Sequence, residues 1–160
     1  MTSRIEYSKI APAALGAVSG LEQYVRSSGL EPGLVELVKL RASYLNGCAY
    51  CVDMHTRDAR AAGESEQRLY AVPVWRETPF FTPRERAALA WTESVTELGL
   101  TGVPDAAFHE ARAEFSESEL VDLTLAVIAI NAWNRLAVSF RAEPGTYLPR
   151  AAYGAAATAT

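Results

Sequence analysis

The chain has 160 residues, 49% of them hydrophobic and 21% charged, and its formal net charge is −4. This length and composition fit a single globular domain, which we predict to span residues 1–150. Because phosphate binding needs a clustered basic surface, the mildly acidic balance argues against a nucleic-acid partner.

The N-terminal segment does not read as a secretory signal, since residues 1–10 contain no long apolar core and no small-residue cleavage site follows. The most apolar stretch, residues 123–130, is too short to span a bilayer, and polar residues follow it at once. We therefore predict a cytoplasmic protein without a membrane partner. In a reducing compartment, a close pair of cysteines is more often catalytic or metal-binding than structural.

Apolar residues recur at helical spacing throughout the chain, and no stretch alternates in the manner of a strand. We predict a first helix over residues 14–25, a second over residues 33–45, a third over residues 48–62 and a short fourth over residues 65–72. A glycine follows each of the first three, where it can end the helix. The fold class is therefore all-α, a helical bundle.

Residues 73–83 hold three prolines and three large aromatic side chains, Trp75, Phe80 and Phe81. We interpret this segment as an ordered loop rather than a flexible linker. Its rings either pack in the core, which is the preferred interpretation, or form the wall of an apolar pocket.

Two later helices have matching start signals. Thr82 with Glu85, and Ser116 with Glu119, are each spaced as a capping box, in which the two side chains satisfy free amides at a helix start. The first box opens a helix that ends at Gly99, and the second opens a long helix to about residue 140. We predict a short helix over residues 104–115 between them.

The long C-terminal helix is apolar around nearly its whole circumference between residues 120 and 140. Such a helix must be buried on all sides, either as a core helix or with one face covered by another subunit. We favour a homo-oligomer. Residues 151–160 are small and low in complexity, and we predict a disordered tail there.

Cys48, Cys51 and His55 fall on one face of the third helix. At about 100° per residue, each lies one turn from the next. Cys48 comes first, where free backbone amides and the helix dipole favour a thiolate. A thiol pKa near 8.5 can fall to roughly 3.5–7.5 in such settings. His55 can act as a base or as a cationic neighbour of Cys51.

Glu36 joins these residues by a register argument. If the second and third helices form an antiparallel hairpin about Asn46 and Gly47, positions equally far from the turn lie side by side. Glu36 is ten residues before Asn46, so it lies level with residues 55–57. A carboxylate there can fix the imidazole tautomer of His55 and hold its proton.

Other interpretations of these side chains remain open. The two cysteines can be ordinary buried thiols. They can also bind zinc together with His55, in which case His109 is the remaining candidate for a fourth ligand. We expect His109 to be a surface histidine. We expect Asp53 and Arg57 to belong to a solvated helix face.

The pattern of Glu36, eleven intervening residues, Cys48-x-x-Cys51, three residues and His55 resembles the alkylhydroperoxidase AhpD-like proteins of the carboxymuconolactone decarboxylase superfamily. The resemblance covers residues 33–98. It extends to several short stretches around the motif, which are residues 37–43, 46–51, 53–55, 75–76, 81–82 and 85–90.

This resemblance implies an all-α fold that assembles into trimers or hexamers. It implies a peroxidase or disulfide-reductase activity that needs no metal, flavin or haem as cofactor, with a hydroperoxide substrate and a dithiol or lipoyl-type reductant. If the family's roles apply to this chain, Cys51 would attack the peroxide and Cys48 would then form the disulfide with it. His55 and Glu36 would transfer protons. The residues alone leave the division between the two cysteines open.

One departure from the family concerns the residues between the cysteines. The characterised peroxidase has a histidine there, whereas this chain has Ala49 and Tyr50, so water or the Tyr50 hydroxyl must replace any proton step of that ring. Two rival functions remain. One is a decarboxylase of the same superfamily using His55, although such enzymes do not generally need the cysteine pair. The other is a redox-sensing oligomer without enzymatic activity.

Overall fold

The computed structural model describes residues 2–149, and the described part of the chain is all-α. The predicted fold class is thereby confirmed, while the predicted tail over residues 151–160 lies outside the described residues. The helices are α1 (Tyr7–Ile10), α2 (Pro12–Ser27), α3 (Pro32–Leu45), α4 (Ala49–Ala61), α5 (Glu66–Ala71), a 3-10 helix (Val72–Glu77), α6 (Pro83–Thr96), α7 (Asp105–Glu114) and α8 (Glu117–Phe140).

Both predicted capping boxes are present. The Thr82 hydroxyl accepts the Glu85 amide at the start of α6, and the Ser116 hydroxyl accepts the Glu119 amide at the start of α8, while each glutamate accepts the cap residue's own amide. These reciprocal bonds explain why the two helices begin where the sequence indicates.

One local prediction needs correction, and one short helix has no counterpart among the predictions. The sequence predicts a loop over residues 73–83, but Val72–Glu77 forms a 3-10 helix, with Pro73 at a helix start where no amide donor is needed. The short helix α1 had no signal strong enough to predict it. Trp75 and Phe81 are buried in a core cluster, in agreement with the preferred interpretation of core packing, whereas Phe80 is exposed and does not follow it.

Helix α3 is the central helix of the bundle. It packs against α4, α6 and α8, and its residues from Leu34 to Leu40 are buried without a break. Because every face of α3 meets another element, even its charged residues Glu36 and Lys39 are buried. Burial of such groups demands polar partners inside the protein.

Helix α8 is only partly covered. Its inner face packs against α2, α3 and α6, whereas Val121, Ile128 and Val138 are exposed. It is long and apolar enough to meet the criteria for a membrane span, a test that core helices of soluble proteins also meet. The homo-oligomer and the cytoplasmic location stay predictions.

Both ends of the described chain are bonded to the helices that carry the cysteines or pack against them. The Arg4 amide donates to the Phe140 carbonyl at 3.0 Å, at the end of α8. The Gly145 amide donates to the Asp53 carboxylate of α4 at 2.9 Å. The N-terminal segment is thus held at the end of α8, and the C-terminal segment is held on α4.

Candidate active site

The turn between α3 and α4 places the cysteine pair. Gly47 has a φ of 63°, in the left-handed region that glycine adopts without strain. The Cys48 amide then donates back to the Ser43 carbonyl at 2.9 Å, which closes the end of α3. Helix α4 therefore starts with Cys48 as its N-cap residue, one position before the predicted first turn.

The two sulfurs are in direct contact. Cys48 Sγ and Cys51 Sγ lie 2.6 Å apart without a disulfide bond between them, and each residue is about 1% exposed. The Cys51 amide also donates to Cys48 Sγ at 3.3 Å. With Cys48 at the N-cap position, the Cys51 amide points at Cys48 Sγ, where it can stabilise a thiolate.

These contacts separate the acidities of the two thiols. The hydrogen bond from the Cys51 thiol lowers the pKa of Cys48 to about 7, helped by the Cys51 amide and opposed by burial. The same hydrogen bond raises the pKa of Cys51, and burial adds to the effect. The pair therefore holds its first negative charge on Cys48, with the remaining proton shared across the contact.

Glu36 and His55 meet across the hairpin. Glu36 Oε2 lies 2.8 Å from His55 Nδ1, and both side chains are buried. Burial acts to raise the pKa of Glu36, but the hydrogen bond from His55 and the imidazole charge more than offset it, so this pKa is lowered. The charges of Lys39 and Arg26 act in the same direction. The predicted register of α3 against α4 is what brings this pair together.

The other ring nitrogen of His55 has no partner. Nε2 is buried, and no described residue lies within hydrogen-bond distance of it. Since a buried polar atom costs free energy when unpaired, a bound molecule that offers an oxygen to Nε2 recovers that cost. With Nδ1 held by Glu36, Nε2 is the position where this imidazole can take or give a proton.

A second set of charges lies on α2 and α3. The Glu22 carboxylate pairs with the buried ammonium of Lys39 and with Arg26, at 3.3 Å from the Arg26 Nε. Burial acts to raise the pKa of Glu22, but the Lys39 charge and hydrogen bond outweigh it and lower that pKa. Lys39 is thus an ammonium between two carboxylates, since it also favours the ionised form of Glu36.

A cavity of about 560 Å³ gives access to these groups. Cys51 and His55 line it, together with Glu36 and Lys39, whereas Cys48 is not among its lining residues. Its aromatic walls come from α1, α4, α8 and the C-terminal segment, as Tyr7, Tyr50, Trp133 and Tyr147. The sequence alternative, in which Trp75, Phe80 and Phe81 form a pocket wall, does not apply to this cavity.

The zinc interpretation does not match the geometry. His109 is exposed on α7, whereas the cysteines are buried at the start of α4. A different group, Glu36, His55 and Asp58, has ligand atoms within 4.8 Å of one another. Both carboxylates of that group already have partners, because Glu36 accepts from His55 Nδ1 and Asp58 accepts from the Tyr147 hydroxyl at 2.8 and 2.9 Å.

The expectation for Asp53 and Arg57 is met in part. Asp53 and Arg57 form an ion pair of 2.8 Å on α4 and are partly exposed, as expected of a solvated face, but they also hold the C-terminal segment. Lys39 and Glu22 did not emerge from the sequence. The signal that could have indicated Lys39 is its position in a mostly apolar stretch of α3, where a charged side chain needs a partner.

Three comparisons place the chain among known proteins. The model of the carboxymuconolactone decarboxylase family matches residues 12–94. The uncharacterized protein YdfG of Bacillus subtilis is 41% identical over 139 residues, which cover 87% of this chain and 95% of YdfG.

Solved structures agree. A protein of unknown function from Agrobacterium tumefaciens, whose name suggests an AhpD antioxidant defence protein, is 51% identical with a TM-score of 0.88, over 91% of this chain and all of that one. The debrominase Bmp8 has a TM-score of 0.77 at 18% identity, over 86% of this chain and 74% of Bmp8, which is a likeness of fold alone.

Proposed function

Because the chain is an AhpD-like member of the carboxymuconolactone decarboxylase family, we propose that it is a thiol-dependent peroxidase that reduces organic hydroperoxides. The observation that carries the proposal is the 2.6 Å contact between the free sulfurs of Cys48 and Cys51, next to a cavity that Cys51 lines. Two sulfurs this close can exchange a proton and can form a disulfide without moving either helix.

The first half-reaction starts from the singly ionised pair. The proton of Cys51 passes to Cys48 across the contact, which leaves a thiolate on the sulfur that lines the cavity. This thiolate attacks the outer oxygen of R–O–O–H, the O–O bond breaks, and Cys51 becomes a sulfenic acid. In this proposal His55 Nε2 holds the proton lost from the cysteine pair, and Glu36 stabilises the resulting imidazolium. The departing R–O⁻ takes that proton and leaves as the alcohol, and the dithiol regenerated at the end of the cycle returns a proton to His55.

The second half-reaction restores the cysteines. The Cys48 thiol condenses with the Cys51 sulfenic acid, which forms the disulfide and releases water. An external dithiol, such as a lipoyl-type group, then reduces this disulfide by exchange and is itself oxidised to a disulfide. The sum is R–O–O–H plus dithiol giving R–O–H, water and the oxidised carrier.

The shape and chemistry of the cavity support an organic rather than a purely inorganic peroxide. Its walls offer aromatic surface for an apolar R group, and its polar lining includes Glu36, Lys39 and His55. A volume of about 560 Å³ lies within the range of roughly 300–1,000 Å³ that small-molecule sites occupy. The hydroperoxide end of such a molecule would meet the polar groups.

The direct test is consumption of an organic hydroperoxide with a small dithiol as reductant. We expect turnover by the wild-type protein and its loss in both Cys48→Ser and Cys51→Ser, because each lacks half of the disulfide. A matched control is Thr92→Val, which removes a buried hydroxyl of α6 that bonds to its own helix at the Ala88 carbonyl and lies outside the cavity lining. If both cysteine variants keep full turnover, the redox proposal is wrong, and acid–base chemistry by His55 and Glu36 becomes the better account.

A further inference from the structure

The C-terminal segment, residues 142–149, runs from the cysteine cluster onto α4. It contains no helix or strand. Ala142 packs against the core cluster that contains Cys48 and Cys51, and its amide donates to the Ala137 carbonyl at the end of α8 at 2.9 Å. The segment then contacts α4 at three positions, so it lies along that helix.

Hydrogen bonds attach the segment to α4. The Gly145 amide donates to Asp53 Oδ2 at 2.9 Å. Arg57 Nη1 donates to the Tyr147 carbonyl at 3.3 Å. The Tyr147 hydroxyl lies 2.8 and 2.9 Å from the two oxygens of Asp58, to which it donates. Because Asp53 and Arg57 are themselves paired at 2.8 Å, one ion pair holds two points of the segment.

The contact between Tyr147 and Asp58 lies at the cavity. Both residues line it, Asp58 from α4 and Tyr147 from the C-terminal segment, and Cys51 and His55 belong to the same lining. The hydroxyl–carboxylate contact therefore joins two elements of the cavity wall. Separating these elements widens the route to Cys51.

The segment is held less firmly than the helices beneath it. Residues 143–146 are exposed, and Leu148 is 81% exposed. Segments with few buried apolar contacts and solvent-exposed hydrogen bonds open locally at a lower free energy than the core. The backbone turns at Arg141 and Gly145, where φ is 55° and 92°. Hinges are commonly loop or element-terminal positions of this kind.

The two half-reactions place different demands on this wall. Cys48 and Cys51 are each about 1% exposed. A hydroperoxide is a small molecule that can meet Cys51 inside a cavity of about 560 Å³. The reductant must bring one of its own sulfurs into contact with the disulfide, and a dithiol on a carrier brings a bulky group with it. The second reaction therefore needs a wider opening than the first.

We propose that residues 142–149 form a lid over the dithiol cavity, which the Tyr147 hydroxyl holds closed by its contact with Asp58 and which opens to admit a carrier-bound dithiol. The proposal rests on the proposed peroxidase function for the two reactions that the lid separates. Opening itself is a property of the segment, and thiol reagents measure it without any peroxide.

The test compares two alkylating reagents on the reduced protein, iodoacetamide and a maleimide coupled to a cysteine-free carrier protein. Tyr147→Phe removes the hydroxyl and keeps the ring, and Asp53→Ala removes a second attachment outside the cavity lining. We expect each to raise the ratio of the bulky to the small reagent's rate about three- to tenfold, the effect of one lost hydrogen bond on opening. Because both reagents attack the thiolate, the ratio cancels changes in thiol acidity.

The matched control is Tyr70→Phe. It also removes a tyrosine hydroxyl bonded to a carboxylate, Glu66 Oε2 at 3.1 Å, but Tyr70 is exposed on α5 and outside the cavity lining. We expect no change in the ratio. A second readout starts from the disulfide form, prepared with diamide. Asp53→Ala should accelerate its reduction by a carrier-bound dithiol and leave single-turnover oxidation by a hydroperoxide unchanged.

Hydrogen exchange in the wild-type protein covers the case in which the variants fail to fold. The Gly145 amide should exchange much faster than the His55 amide within α4, because only the lid must open. Equal protection of these two amides, or a wild-type alkylation ratio in both folded variants, overturns the proposal. Peroxide turnover measured in parallel separates the two claims, because a raised ratio without any peroxide turnover contradicts only the peroxidase function.

Discussion

Glu36 Oε2 and His55 Nδ1 lie 2.8 Å apart although the residues are 19 positions apart in the chain. The contact joins the central helix α3 to α4 and holds the imidazole with Nε2 unpaired in a buried position. A carboxylate that binds one ring nitrogen decides which nitrogen remains for proton transfer. Glu36, on the central helix, therefore orients the imidazole that we propose as the proton donor in the cavity.

The first prediction concerns Glu36→Gln. The amide can still contact Nδ1, but it no longer stabilises an imidazolium, so proton transfer to the departing alkoxide slows. We expect kcat for peroxide reduction to fall about a hundredfold, within the usual range for loss of general acid–base assistance. Glu110→Gln is the control, since Glu110 is exposed on α7. Equal kcat values for Glu36→Gln and wild type would remove Glu36 from the mechanism.

The second prediction concerns pH. Because the pKa of Cys48 is lowered to about 7, the thiolate forms as the pH rises through that value. The single-turnover rate with a hydroperoxide should increase about tenfold per unit below the midpoint and level off above it. Stopped-flow measurement across this range checks the prediction. A rate that keeps rising up to the ordinary thiol pKa near 9.0 would mean that the site does not activate its thiols.

The third prediction concerns the C-terminal segment. Tyr147 lines the cavity, and its hydroxyl contacts both oxygens of Asp58. Tyr147→Ala removes part of the aromatic wall, so we expect turnover of a bulky aromatic hydroperoxide to change relative to hydrogen peroxide. Tyr70→Ala is the control, because Tyr70 is exposed and outside the cavity lining. An unaltered ratio in Tyr147→Ala would show that this wall does not contact the substrate.

Much of the site could be predicted because it lies on one helix hairpin. Helical spacing places Cys48, Cys51 and His55 together, and the turn at Gly47 fixes the register that adds Glu36. These relations are local, so period and turn position determine them. The capping boxes at Thr82 and Ser116 are local in the same sense.

The rest depends on contacts between elements distant in sequence. Trp133 reaches the cavity from α8, and Tyr7 and Tyr147 reach it from opposite ends of the chain. Periodicity gives no information on which helices pack together. The apolar pattern of the sequence favoured α8 as the most buried helix. In the structure α3, which is less apolar, lies at the centre of the bundle because more elements pack against it.

The fourth prediction concerns the capping box of α8. Hydrogen bonds from the Ser116 amide and hydroxyl and from Arg84 lower the pKa of Glu119 to about 2, compared with 4.5 for an ordinary glutamate. A lowered folded-state pKa stabilises the fold above about pH 4.5, and that stabilisation is lost as the pH falls towards 2. The stability difference between wild type and Glu119→Gln should therefore shrink over this range.

Denaturant unfolding at a series of pH values measures this difference. Glu117→Gln serves as the control, since Glu117 lies in the same helical turn with a side chain that is 90% exposed. A difference between wild type and Glu119→Gln that stays constant from neutral to acidic pH would contradict the capping role of the carboxylate.

The central claim is that Cys48 and Cys51 form a peroxide-reducing dithiol. Its most direct test mixes the fully reduced protein with one equivalent of an organic hydroperoxide, without reductant, and identifies the products by mass spectrometry. The account predicts one equivalent of the alcohol and an intramolecular Cys48–Cys51 disulfide, formed together. Recovery of both cysteines as free thiols with the hydroperoxide intact would contradict it.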